Sequence, residues 1–292
     1  MYELIQLSEH DFYMDCPVKT GLVLFEEGKV IAVDSGLDKG TGKKLLRHVE
    51  ENGWKLEAVI NTHSNADHIG GNRFLQDKTG CRIYAPGLER TFTNRPELEP
   101  MTLYGGLPFK DLQGKFMMAP SSRAEELTPD VLPKGMEIIP LPGHSFDMAG
   151  LRTADGNLFL ADCLSSEETL AKYGIGYLWD AGKYIETLKQ VMEMKALHFV
   201  PAHAAVTEDI RELAQKNIDA VEALLEKIQE LCRKPRIFEE LLHELFASYN
   251  MTMNMQQYVL IGSTVKSCLS GLVTAGKVKY YCEDAYIFWQ TI

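Results

Sequence analysis

The sequence lacks the long apolar run that a membrane span needs; no stretch approaches roughly 18 consecutive apolar residues. The opening residues, MYELIQLSEHDFYMD, carry no charged leader followed by an apolar segment, so no signal peptide is expected. Cysteine is sparse and unpaired in pattern. The six residues (Cys16, Cys81, Cys163, Cys232, Cys268 and Cys282) contain no C-x-x-C and are scattered over 292 positions. They read as reduced, mostly buried thiols rather than a disulfide framework. Together these absences point to a cytoplasmic protein.

Positive charge is also short. Lys and Arg number 30 against 41 Asp and Glu, a net charge of −11. An acidic chain repels phosphate backbones unless it has a local basic patch. The densest basic clusters are Lys43–Lys44–Arg47, on the solvated face of an expected helix, and Arg233–Lys234–Arg236, at a helix end. Neither interleaves with aromatics, so nucleic acid is not the expected partner and a small molecule is. The chain shows no internal repeat and no low-complexity segment.

What remains is the pattern of an α/β protein. Residues 2–34 alternate as strands, with TGLVLFEEGKVIAVDSG forming a hairpin around Glu26-Glu27-Gly28. A helix is expected over 43–52, stopped by Gly53, then a buried strand at 56–61, a helix over 68–79 stopped by Gly80, and the strand CRIYA. Residues 86–135 break the pattern. They hold six of the twelve prolines and several aromatics, and read either as a cover over an apolar pocket or as a helical insert with its own small core. Strands resume with MEIIPL and with a hairpin turning at Asp155-Gly156. A helix over 180–194 and the strand ALHFVPA follow. Apolar residues at spacings of three and four then mark a long helix over 207–231, which Thr207 is placed to cap.

The chemistry lies at strand ends. NTHSNADHIGG, residues 61–71, puts His63, Asp67 and His68 where a strand gives way to a helix. Imidazole and carboxylate suit zinc and related divalent metals. Three later stretches share one form, an apolar strand followed by a ligand-type residue: IIPLPGHS with His144, LFLADC with Asp162, and HFVPAHA with His203. Strand ends in one sheet share a rim, so these residues can converge there. Cys163 follows Asp162, but strand alternation turns it away, and it reads as a buried thiol. Tyr173, Tyr177 and Trp179 read equally as pocket lining or as core aromatics.

The order His-x-x-x-Asp-His, Pro-Gly-His, strand-terminal Asp, Pro-x-His resembles the metallo-β-lactamase-fold hydrolase superfamily over roughly residues 1–230. The resemblance implies a four-layer αβ/βα sandwich with two metal positions. His63, position 65 and His144 would form the first. Asp67, His68 and His203 would form the second, with Asp162 bridging the two. THSNADH departs from the family pattern once, at Asn65, where a histidine is usual. An amide oxygen is a weak zinc ligand beside imidazole. The expectation is therefore one zinc held tightly by Asp67, His68, His203 and Asp162, with the first position weak, empty, or completed by the Asn65 amide oxygen and water. Ligand spacing leaves iron or manganese open.

The implied function is a metal-dependent hydrolase of a small ester, thioester or lactone. A metal-activated water serves as nucleophile, and Asp67 or Asp162 orients it or takes its proton. The alternatives are a phosphodiesterase or nuclease of the same fold, or a catalytically degenerate binding or regulatory protein.

The expected domains are a hydrolase-like domain over 1–232 and a small α+β unit over 236–292. The latter runs helix, helix, helix, ribbon, and resembles a winged helix. Its near-neutral charge argues for packing, pocket closure or a homodimer contact rather than DNA binding.

Overall fold

The computed structural model describes residues 2–292. The elements are β1 Glu3–Gln6, β2 Asp11–Asp15, β3 Thr20–Glu26, β4 Lys29–Val33, α1 Lys39–Glu51, β5 Lys55–Ile60, α2 Ala66–Ile69, α3 Asn72–Thr79, β6 Arg82–Ala85, α4 Gly87–Asn94, α5 Leu98–Tyr104 and β7 Ala124–Glu126. They continue with β8 Glu137–Pro140, β9 Ala149–Arg152, β10 Leu158–Ser165, α6 Glu167–Tyr173, α7 Ala181–Glu193, β11 Phe199–His203, α8 Arg211–Leu231, α9 Phe238–Ser248, α10 Met255–Thr274, β12 Val278–Glu283 and β13 Tyr286–Thr291. Among the described residues, no helix is long and apolar enough to cross a membrane.

The chain divides into two compact units. The first takes the residues up to Pro142, with Phe146–Leu164 and Met194–Ile210; the second takes Gly143–Ser145, Ser165–Glu193 and Arg211–Ile292. The second unit thus includes α6, α7 and α8, which lie before the boundary at 232 expected from the sequence. Met1 lies outside the described residues.

In the first unit, β1 to β7 form a seven-stranded sheet in sequence order, and β11-β10-β9-β8 form a four-stranded sheet. The large sheet is antiparallel through β4 and parallel from β4 to β7. Its inner strands β3 to β6 are mostly buried, whereas the edge strands β1 and β7 are not. Alternate residues go opposite ways. Leu22, Val30, Ala32 and Val59 pack with Leu45 and Val49 of α1 and Leu75 of α3. Val23, Ile31, Val33, Ala58 and Ile60 pack with Leu151, Phe159 and Val200 of the smaller sheet. A helix layer, a large sheet and a small sheet result.

The helix expected over 68–79 is split into α2 and α3 by Gly70-Gly71. A Cβ on Gly70 would lie 1.9 Å from the Leu37 carbonyl oxygen, and one on Gly71 2.4 Å from that of Ser35. The break lets the loop after β4 press against the start of α3, beside the loop that carries His63 and His68. The insert at 86–135 holds two short helices, α4 and α5, amid irregular chain. Leu112 and Met117 are buried within it, Ala119 packs on Ala66 and Ile69 of α2, and β7 joins the sheet edge.

The second unit differs from the sequence reading in two places. The long helix begins at Arg211, not 207, because Thr207 pairs its backbone with Phe199 and its hydroxyl accepts from the Asp209 amide. Two helices, not three, follow Pro235, because α10 runs unbroken where two helices were expected. The β12–β13 ribbon turns at Asp284-Ala285, both at positive φ. It is tied to the end of α8 by Thr291, which donates to the Cys232 and Gln229 carbonyls.

Candidate metal centre

The site grows from strand ends in the first unit. Where β5 ends, Thr62 donates its backbone N–H and its hydroxyl to the two oxygens of Asp34, at 2.8 and 2.7 Å. Asp34 stands at the end of neighbouring β4 and holds φ +62°, the left-handed region. The Thr62–Asp34 clasp fixes the loop that carries His63, Asp67 and His68. Asp34 Oδ2 also lies 2.8 Å from His68 Nδ1. That bond leaves His68 Nε2 as the ring atom facing the site, which is how metal-binding imidazoles are oriented and their tautomer fixed.

Asp162 is the hub. Its Oδ1 lies 3.0 Å from His68 Nε2, and its Oδ2 lies 3.2 Å from His203 Nε2 and 3.9 Å from His63 Nε2. Asp67 Oδ2 lies 3.5 Å from His203 Nε2. The preceding residue, Ala161, is at φ +52°, a strained conformation for a non-glycine, inside β10, which runs on through Asp162 to Ser165. Ligand atoms of Asp67, His68, Asp162 and His203 all lie within 4.8 Å of one another.

This donor set fits a divalent cation. His68 is fully buried, and its Nε2 forms no hydrogen bond despite the nearby Asp162 oxygen. The pair is close but not aligned as a hydrogen bond.

The electrostatics agree. For Asp162, burial opposes the charge most strongly, but His203 and His68 outweigh it and hold the carboxyl well below its usual range. For Asp67, His68 and then His203 likewise outweigh burial, and its pKa falls to about 2. Asp162 lifts the His203 ring to about 10 against its burial. His68 is raised well above the usual imidazole range, because Asp162, Asp34 and Asp67 together overcome a burial that disfavours its charge. Without a metal the cluster balances itself as ion pairs; a cation would take the place of the imidazole protons.

His144 falls in the second unit and is described there. Its segment is fixed by backbone bonds from Trp179 to the carbonyls of Gly143 and His144, at 3.0 and 3.1 Å. Gly143, at φ +128°, has no room for a side chain, since a Cβ would lie 2.4 Å from the Tyr184 amide nitrogen. The His144 ring meets Tyr177 edge-on at 5.5 Å. Cys163 is fully buried, as alternation implied. His198 bonds Asn157 Oδ1 at 2.8 Å through Nδ1.

Asn65 takes an unexpected partner. It sits at the N-cap of α2, a position where asparagine usually caps with its own side chain, yet it makes no such bond. Its Nδ2 donates instead to Glu99 Oε1 of α5, at 2.7 Å. Burial pushes the Glu99 carboxyl well above its usual range; the Asn65 bond opposes this, and Asp67 and Glu89 add to the rise. Glu89 of α4 is itself fully buried. It accepts from the Ser64 amide and hydroxyl at 2.9 and 2.6 Å and from the Asp147 amide at 3.1 Å.

Sequence reasoning missed Asp34, Glu89 and Glu99. Asp34 obeys the rule used for the others, since VIAVD is an apolar strand ending in an acid. The two glutamates come from an insert without periodicity, and nothing in the sequence singles them out.

The sequence profile of the metallo-beta-lactamase superfamily matches residues 14–203. The chain belongs to that superfamily. Among curated relatives of this superfamily member, a hydroxyacylglutathione hydrolase of Rhodopseudomonas palustris (strain HaA2) is 28% identical over 167 residues, 56% of this chain and 52% of the relative. A beta-lactamase-like protein 2 homolog of Drosophila melanogaster is 22% identical over 158 residues, 53% of this chain and 47% of the relative. The chain spans about half the length of the curated relatives it matches. A metallo-beta-lactamase family protein of Thermus thermophilus superposes with a TM-score of 0.75 over 98% of this chain and 100% of its own, at 19% identity. That likeness establishes the mixed α/β metallo-beta-lactamase fold.

Proposed function

We propose that this chain is a metal-dependent hydrolase acting on a small ester, thioester or lactone. The observation that carries the reading is the convergence of Asp67, His68, Asp162 and His203 within 4.8 Å, with Asp34 behind His68. A bound divalent ion supplies Lewis-acid chemistry, with zinc suited to this nitrogen and oxygen donor set and iron or manganese compatible with it. The chain's own residues do the rest. Asp67 or Asp162 takes the proton of the attacking water, being the two carboxylates inside the cluster. Asp34 keeps His68 in one tautomer. The insert covers the motif loop and fixes it through Glu89.

The acyl-transfer preference has two supports. One relative is named a hydroxyacylglutathione hydrolase, a thioester hydrolase. A phosphodiesterase of this fold would draw on two metals and a basic groove, whereas this chain carries a net charge of −11 and an amide at position 65. Metal-loaded protein tested against thioester, lactone, carboxylester and phosphodiester substrates should hydrolyse a member of the first three, with loss of activity on chelation. Turnover of the diester alone would overturn the reading.

A further inference from the structure

The ribbon in the second unit has one covered edge and one open edge. β12 and β13 pair without a register shift, from Val278 with Thr291 to Glu283 with Tyr286. The two-residue turn at Asp284-Ala285, both at positive φ, makes Glu283 and Tyr286 the hydrogen-bonded pair that closes the hairpin. The Ile292 N–H donates to the Lys277 carbonyl in the same phase. Lys277, Lys279, Tyr281 and Glu283 therefore direct their backbone groups to β13, and Val278, Tyr280 and Cys282 direct theirs outward. On β13 the outward groups are taken. Trp289 exchanges both backbone bonds with Arg236, and the Thr291 N–H donates to the Cys232 carbonyl. Among the described residues, no strand pairs with the outer edge of β12.

An open edge is a template for another strand, and proteins usually blunt one with a proline, a bulge or an unmatched charge. β12, VKYYCE, has neither proline nor bulge. Its two charged residues, Lys279 and Glu283, are exposed and stand two positions either side of Tyr281. Outward residues hydrogen-bond only with outward residues, so two antiparallel copies of β12 must be centred on a residue rather than between residues. Centred on Tyr281, Tyr280 of each copy exchanges backbone bonds with Cys282 of the other. Lys279 of each then lies opposite Glu283 of the other, and Tyr281 lies opposite Tyr281. Each Tyr281 ring already stacks on Phe288, with centroids 5.5 Å apart, so one aromatic row crosses the joined ribbons. Centring on Tyr280 or Cys282 instead sets Tyr281 opposite a charged side chain and parts Lys279 from Glu283.

We propose that this edge is the contact for a second copy of this chain, with β12 pairing antiparallel to β12 of that copy about Tyr281. The contact is isologous, each copy offering the same strand. Edge pairing covers little surface, so the dimer forms and parts with concentration.

Sedimentation velocity of the full-length protein over a range of concentrations should show a monomer–dimer equilibrium. Lys279→Glu sets two carboxylates face to face twice in each dimer, and Glu283→Lys does the same with two ammonium groups. Each should weaken the dimer by about 5- to 30-fold. Combining Lys279→Glu with Glu283→Lys restores both pairs and the wild-type net charge, and should follow wild type. Tyr281→Cys, made together with Cys282→Ser, should cross-link two copies on mild oxidation, because facing Cα atoms of a non-hydrogen-bonded pair lie about 4.5 Å apart. Should that variant fail to fold, the charge swap carries the test, since both charged side chains are exposed. A chain that stays monomeric at every concentration would overturn the proposal. So would a dimer that neither single charge variant weakens, or one that folded Tyr281→Cys does not cross-link.

Discussion

Asp34 Oδ2 lies 2.8 Å from His68 Nδ1, and the same carboxylate accepts both the backbone N–H and the hydroxyl of Thr62. One buried acid at the end of β4 therefore sets the tautomer of His68 and the path of the loop that carries it. Asp34→Ala should lower metal affinity by about 10- to 100-fold. Competition against a chelator measures this directly. Affinity equal to wild type would mean that His68 is oriented by packing alone.

The cluster's charges make metal binding pH-dependent. In the metal-free protein Asp162 lifts His203 to about 10 from 6.5. The stabilisation this represents is complete below 6.5 and is lost as pH rises through about 10. Asp67, held near 2 from 3.8, contributes above 3.8 and loses its contribution as pH falls toward 2. The metal-free protein should therefore melt highest between those limits, at about pH 4 to 6.5 as far as these two groups decide it, and lose stability toward pH 10. A cation displaces the imidazole protons, so its uptake at pH 7.5 should release protons. Calorimetry in two buffers of different ionisation enthalpy counts them. Zero release would contradict charged imidazoles in the metal-free site.

Gly70 lets two loops touch. The Cβ of Gly70→Ala would fall 1.9 Å from the Leu37 carbonyl oxygen. Relieving that overlap means moving backbone, at a cost of about 1 to 3 kcal/mol. Urea unfolding should show a lower midpoint and an unfolding free energy reduced by that amount. An unchanged midpoint would show that the loop after β4 yields freely.

Cysteine reactivity should follow burial. Five of the six thiols are buried and Cys282 is exposed. Burial pushes Cys232 to about 11 and Cys268 to about 12. Cys163 is raised further, by burial and then by Asp162. Thiolate is the reactive form. A thiol-specific reagent should label one cysteine quickly in the folded protein, at Cys282, as read by peptide mass spectrometry. Rapid labelling of Cys163 would show that the site end of β10 opens.

The His/Asp cluster was legible because it follows one rule: an apolar strand leading into an imidazole or carboxylate side chain. Asp67, His68, Asp162 and His203 obey it or sit beside a residue that does, and Asp34 obeys it too. Glu99 was not legible. Its place depends on α5 folding over the loop, and a proline-rich insert carries no period from which to read that. Thr207 misled because a residue with cap chemistry is also a good strand partner, and the backbone pairing with Phe199 won. The three helices read after Pro235 become two because α10 runs unbroken through Gly262, beside Phe238 and Leu242.

The central claim is that Asp67, His68, Asp162 and His203 form one metal centre, with Asp162 at its middle. Metal content settles this most directly, measured by elemental analysis of protein as purified and after loading with zinc, for wild type and Asp162→Ala. Wild type should hold at least one equivalent through gel filtration, and Asp162→Ala should hold far less. A wild-type protein that stays metal-free in excess zinc, or an Asp162→Ala variant that retains as much metal as wild type, would contradict the account.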